Sequence, residues 1–219
     1  MKRRPLPVAA ALMVTASLLL TACGSGDENS KSNDETAAGA DVSVATTSVS
    51  PNTGASGPTN RSEITLPKGV ENRFGSWKTG DRAEDAVLSD VAQTVNAVDD
   101  AILRGDTNST ALAYYRQGEA LASAQKWVRA WLEEDLTWTG VTRYFSPKVE
   151  VADSDTAAVI YCADESKAYN KNRKTGKVDK APSDESPYVT YSTRLKKNSN
   201  EVWQTTEVLS KRGDRTCAS

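Results

Sequence analysis

Ser123-Ala124-Gln125-Lys126 has the spacing S-x-x-K, and Lys174-Thr175-Gly176 and Lys78-Thr79-Gly80 both read K-T-G. In acyl-transfer enzymes that use these motifs the Ser is the nucleophile, the Lys its neighbour, and K-T-G lies on an adjacent strand. The context here argues against that chemistry. Ser123 falls inside a helical pattern between Glu119 and Trp127, and Lys174 falls in a long polar stretch. No S-D-N or S-x-N stands in a suitable place between them. The chain has no His, which removes Ser-His-Asp and Cys-His catalysis and most zinc sites. Carboxylates, Lys, Tyr and Ser remain as actors. A buried carboxylate with a raised pKa is the form acid–base work would take. Asp99, Asp100 and Asp164 are the acidic residues beside apolar stretches, and the sequence places none of them inside. Arg104-Gly105-Asp106 matches an adhesion tripeptide but reads as a helix end, its Gly cap and a turn residue. No catalytic residue, cofactor or metal is therefore expected.

The three Cys carry a different chemistry. Lys2, Arg3 and Arg4 precede an uncharged, Ala- and Leu-rich run from Leu6 to Leu20, and small residues then lead to Cys23. That is the order of a secretory signal peptide. The run is too short to span a bilayer as a helix. Leu20-Thr21-Ala22-Cys23 resembles the lipobox of bacterial prolipoproteins at all four positions, within a layout similar to actinobacterial lipoproteins. The resemblance implies a diacylglyceryl group on the Cys23 sulfur and removal of residues 1–22. It places the protein on the extracytoplasmic face of the cell membrane. Two acyl chains suffice for stable anchoring, whereas one binds marginally. With Cys23 lipidated, Cys162 and Cys217 remain as an even pair in an oxidising compartment, and a bridge between them is expected.

Loss of Lys2, Arg3 and Arg4 moves the net charge from −2 to −5. A mildly acidic protein is a poor nucleic-acid binder by bulk charge. One cationic stretch stands out: Lys167, Lys171, Arg173, Lys174, Lys177 and Lys180, with Tyr169 among them. As a mobile loop it would focus anions, such as wall polymer or lipid phosphate. Most charge runs are only solvated, and Asp164, Glu165, Asp179, Asp184 and Glu185 bracket this one. An envelope protein or an anionic wall polymer is the partner this would suit.

The elements that position these residues follow from local pattern. Residues 23–62 are rich in Gly, Ser, Thr, Ala, Asn and Asp with scattered charges, and Val42, Val44 and Val49 are the only large apolar side chains in Gly24–Ser62. They cannot offset ordering entropy and are expected to form a disordered tether. As a coil, 39 residues span about 35 Å. Residues 63–80 are transitional, part of them extended on the domain, with Trp77 packed. From Asp81 a capping-box spacing with Glu84 opens a helix whose apolar row is Val87, Val91, Val95, Val98 and Ile102, closed by Gly105. A shorter helix runs from Asn108-Ser109-Thr110 to about Arg116, and Gly118 breaks it. Glu119–Glu134 is a third helix, buried through Leu121, Ala124, Val128 and Trp131, with Trp127 and Leu132 flanking. Strands follow at Leu136–Phe145, Val149–Val151, Thr156–Cys162, Ser186–Lys197 and Val202–Lys211, with Asp164–Ser186 a polar connection.

The expected class is α+β, with about three helices on a curved antiparallel sheet of about four strands across residues 81–219. That order is similar to the cone-shaped fold of the nuclear transport factor 2 superfamily. Within it, Leu112, Tyr115, Gly118-Glu119-Ala120-Leu121, Ala158, Cys162-Ala163-Asp164, Thr175-Gly176, Trp203 and Cys217 resemble secreted actinobacterial domains of that type. The resemblance implies no single activity, because such cones host isomerases, dehydratases and plain binding domains. Trp127, Trp131, Trp138, Tyr144, Phe145, Tyr161, Tyr191 and Trp203 would line the cone or fill its core. The reading is a lipid-anchored envelope binding module; the alternative is an isomerase-like enzyme with a carboxylate acid or base in the cone.

Overall fold

The computed structural model describes residues 63–181 and 184–217. The lipobox, Cys23 and the tether lie outside the described residues. Eight elements follow in order: β1 (Val70–Phe74), α1 (Arg82–Arg104), α2 (Thr110–Tyr115), α3 (Gly118–Glu133), β2 (Leu136–Val151), β3 (Thr156–Asn172), β4 (Tyr188–Lys197) and β5 (Trp203–Arg212). The strands form one sheet in the order β1-β2-β3-β4-β5.

The sheet has five strands rather than about four, and it is mixed. β1 runs parallel to β2, with Val70 opposite Gly140 and Phe74 opposite Tyr144. The extended part of the transitional segment is thus a sheet strand. Leu136–Val151 is one strand, not two. Register shifts between Val141 and Arg143 and between Phe145 and Lys148 bend it without ending it. β3 continues through Asn172, so Lys167 and Lys171 stand on a strand rather than in a loop.

Helix ends follow their caps. The Asp81 carboxylate accepts from the Ala83 and Glu84 amides at 2.8 and 3.0 Å. Gly105 ends α1 at φ 75°, and its amide donates to the Ala101 carbonyl. Gly118 opens α3 at φ 56°, a conformation glycine tolerates without penalty.

α1 lies against two apolar clusters. Its first half (Val87, Leu88, Val91, Val95) packs with Tyr144, Val159, Tyr161, Leu195 and Trp203. Its second half (Ala97, Ala101, Ile102) packs with Leu112, Tyr115, Val128, Trp138 and Val202. Trp77 closes the first cluster: its indole N–H donates to the Leu88 carbonyl at 2.8 Å, and its ring meets Phe74 and Tyr161. Trp127 departs from the expected lining. It is 55% exposed, because Ala120, Ala124 and Val128 form the buried row of α3.

Cys162 and Cys217 are joined by a disulfide. Cys162 pairs with Thr190 in the sheet, and the Thr190 hydroxyl lies 2.9 Å from the Cys217 sulfur. The bridge therefore pins the last residues across β4. No helix among the described residues is long and apolar enough to cross a membrane.

Candidate functional site

Strand alternation decides which side chains face the helices. In β2 the buried positions include Trp138, Thr142 and Tyr144; in β3 they include Ala157, Val159, Tyr161 and Ala163. In β4 they include Val189, Thr193 and Leu195, with Tyr191 in the same row and directly opposite Tyr161. The rings of Tyr161 and Tyr191 stack at 5.1 Å, and those of Tyr144 and Phe74 at 5.0 Å. An aromatic wall results. Phe145 is not part of it, because it pairs with Cys162 and sits beneath the Arg143 guanidinium at 4.9 Å.

Asp99 meets this wall from the helix side. Four residues separate Val87, Val91, Val95 and Asp99, so Asp99 continues the apolar row of α1. The Asn72 amide of β1 donates to the Asp99 carboxylate at 2.6 Å and to the Asn96 side-chain oxygen at 3.0 Å. The indole N–H of Trp138 faces the same carboxylate and favours its charged form. That N–H still finds no acceptor in hydrogen-bonding geometry, so its effect on Asp99 is weaker than that of Asn72.

Burial is the largest influence on Asp99 and pushes its pKa up from 3.8 to about 7. The hydrogen bond from Asn72 opposes this, the Glu165 charge adds to it, and Trp138 and Arg116 oppose it further. Burial also raises the phenols of Tyr144, Tyr161 and Tyr191, so all three stay protonated at neutral pH.

Arg116 is the cation of the site. It follows α2, and its backbone bridges to Thr205 of β5. One guanidinium nitrogen lies 3.5 Å from the Ala120 carbonyl, a weak contact. Its Nε is buried and without a hydrogen-bond partner. No ion pair joins it to Asp99 or any other carboxylate among the described residues. Burial accordingly lowers its pKa, and the charges of Tyr161, Tyr191 and Asp99 act against that.

Asp99, Arg116 and Tyr191 are each half-buried. Glu165 stands nearby, bound to Arg212 at 2.6 Å.

The other acidic residues are structurally committed. Asp100 is paired with Arg104 at 2.7 Å. Asp164 lies 3.4 Å from Arg143 and accepts from the Ser166 amide. Asp90 is fully buried and accepts from the Trp203 amide at 2.8 Å, fixing the start of β5.

The cationic stretch is dispersed. Arg173 donates to the carbonyls of Leu136 and Leu103 at 3.1 Å each, tying the start of β2 to the end of α1. Lys174 is paired with Asp135 at 2.7 Å, and Lys180 lies 5.9 Å from the Tyr169 ring centre. Lys167, Lys171 and Lys177 have no ion pair among the described residues. Lys174-Thr175-Gly176 is a turn whose amides at Lys174 and Thr175 donate to the Asn172 side chain. Ser123 lies exposed on α3. Ser123 and Lys174 thus stand on separate elements, a helix and a turn. Among the described residues no group of three or more His, Cys, Asp or Glu could hold a metal.

Asn72, Arg116 and Glu165 were not anticipated as site residues. Two of them carry a readable signal. Asn72 sits midway between Val70 and Phe74 at strand period two, and Glu165 continues the odd-numbered row of β3.

No family model matches the chain, and no curated protein does. Among solved structures, the chain is similar to a ketosteroid isomerase-like protein from Erwinia carotovora atroseptica. The identity is 15%, covering 59% of this chain and 98% of that one, with a TM-score of 0.38. It is also similar to the intermembrane-space region of the chloroplast protein ARC6, at 10% identity over 62% of this chain and 99% of that one, TM-score 0.36. At these values neither likeness assigns a family or an activity.

Proposed function

We propose that this chain is a lipid-anchored protein of the extracytoplasmic face, whose domain binds a small molecule in the recess between α1 and the sheet. The anchor rests on the lipobox at Leu20–Cys23 and on two acyl chains being enough to hold a protein at a bilayer. The ligand reading rests on one arrangement: beside the stacked rings of Phe74, Tyr144, Tyr161 and Tyr191 stand a half-buried carboxyl, Asp99, held by Asn72, and the Arg116 guanidinium, whose buried Nε has no hydrogen-bond partner. Core packing alone does not retain such groups, because an uncompensated buried charge is costly. Convergent polar groups in an apolar recess are what small-molecule sites are made of.

Ligand-observed NMR on the full chain tests this, with a mixed set of aromatic acids, amides and ketones. Binders should compete with one another, and Tyr191→Ala, which removes a ring of the aromatic wall, should weaken them all. A set that shows no binding, or binding that Tyr191→Ala leaves intact, would sink the reading.

A second reading is acid–base catalysis of the isomerase type. The observation favouring it is that the Asp99 pKa lies where a general base is both available and strong enough. Three protonated phenols nearby supply donors to a developing oxyanion. Exchange of carbonyl α-protons into heavy water, monitored on a ketone that binds, is the direct assay. No excess over the Asp99→Asn protein would leave binding as the function.

A further inference from the structure

The unpartnered donors at the recess select a class of ligand. Arg116 Nε and Trp138 Nε1 are both buried and both without an acceptor. Trp138 is only 6% exposed, and its N–H is directed toward the Asp99 carboxylate. The two come from different parts of the fold, one after α2 and one from β2, and both act on Asp99. Unpaired acceptors are fewer here: Asn72 Oδ1 is the one buried acceptor of the cluster without a partner. An enclosed guanidinium gains most from an ionised acceptor, because charge-assisted hydrogen bonds are about twice as strong as neutral ones.

We infer that the recess takes a small aromatic carboxylate, whose charge is held by the Arg116 guanidinium and the Trp138 indole N–H. This rests on the ligand-binding reading above. The aromatic body is selected by the wall of Phe74, Tyr144, Tyr161 and Tyr191.

Asp99 sets the pH dependence. It is faced by Asn96 on its own helix, Asn72 of β1, Arg116 after α2, Trp138 and Tyr144 of β2, Tyr161 and Glu165 of β3, and Tyr191 of β4. Among these, only Asp99 is shifted into the neutral range. An arriving anion repels ionised Asp99 and accepts a hydrogen bond from its protonated form. Binding therefore takes up a proton where Asp99 is ionised, and affinity rises as pH falls through about 7. Glu165 opposes the anion less, because Arg212 is bonded to it.

The probes are 2-naphthoate and its neutral counterpart 2-naphthamide. Calorimetry on the full chain in nanodiscs, with empty nanodiscs as the blank, gives both affinities. The carboxylate should bind at one site about tenfold or more tighter than the amide, as a charge-assisted contact implies. Arg116→Gln should remove that preference and leave amide affinity within about twofold. Asp99→Asn should flatten the pH dependence of naphthoate binding. If Arg116→Gln fails to fold, Trp138→Phe replaces it and should weaken naphthoate more than naphthamide. Equal affinity for the two probes, or a preference that survives both substitutions, overturns the anion assignment while leaving a ligand-binding recess. Failure of both probes to bind overturns the anion assignment and the recess reading together.

Discussion

Asp99 is a carboxyl four residues after Val95, beside Val98, where the apolar row of α1 shifts to a step of three. Its effect on stability has a definite sign. A carboxyl whose pKa rises from 3.8 to about 7 on folding binds its proton more tightly in the native state. That contribution is complete below about pH 4 and is lost as pH rises through about 7, up to about 4 kcal/mol in all, less what partial solvent access screens. Urea unfolding of Asp99→Asn should show no such slope, and at about pH 8 the variant should be more stable than the native chain. That Asp99 adjoins an apolar stretch is readable in the sequence; which of Asp99, Asp100 and Asp164 meets the sheet is not, because neighbouring helix positions differ in burial only once the partner strands are placed. Arg116 was out of reach altogether. Its enclosure depends on a backbone bridge to Thr205, a contact between segments far apart in the chain that no local pattern reports.

Among the elements, β2 does most to shape the recess. Gly140 has φ 107°, and its amide donates to the Gly69 carbonyl at 2.8 Å, joining β1 to the sheet. A Cβ there would collide with the Lys167 carbonyl oxygen. Gly140→Ala should destabilise the domain by about 2–4 kcal/mol, through forced backbone conformation and a displaced β3. Thermal unfolding measures it, and a loss within error of zero would mean β2 does not need this close approach. The three helices and the strands that alternate apolar and polar residues were legible, because one buried face writes its period into the sequence. β1 was not, since five residues flanked by turns are too few to set a period, and their parallel register is fixed by Gly140. The end of β3 was missed for a related reason. From Asp164 to Asn172 neither face carries a continuous apolar row, so Lys167 and Lys171 looked like loop residues.

At the scale of the molecule, the disulfide closes a span of 55 residues and holds the chain end to the sheet. In the chain-entropy model that is worth about 4 kcal/mol, so Cys162→Ser with Cys217→Ser should lower the urea midpoint by a corresponding amount. Anchoring belongs to this scale too. Cys23→Ser should move the protein from the membrane fraction to the soluble one, and an intact mass of the native chain should show two acyl chains on its first residue. Anchor and domain make separate demands, and either can fail alone. The claim on which the functional reading depends is that Asp99 lies in a water-poor recess rather than at the surface. Carbon-detected NMR of the Asp99 carboxyl, titrated in the full chain, tests it most directly. A midpoint at about 7 is the expected result, and a midpoint near 3.8 would contradict the account.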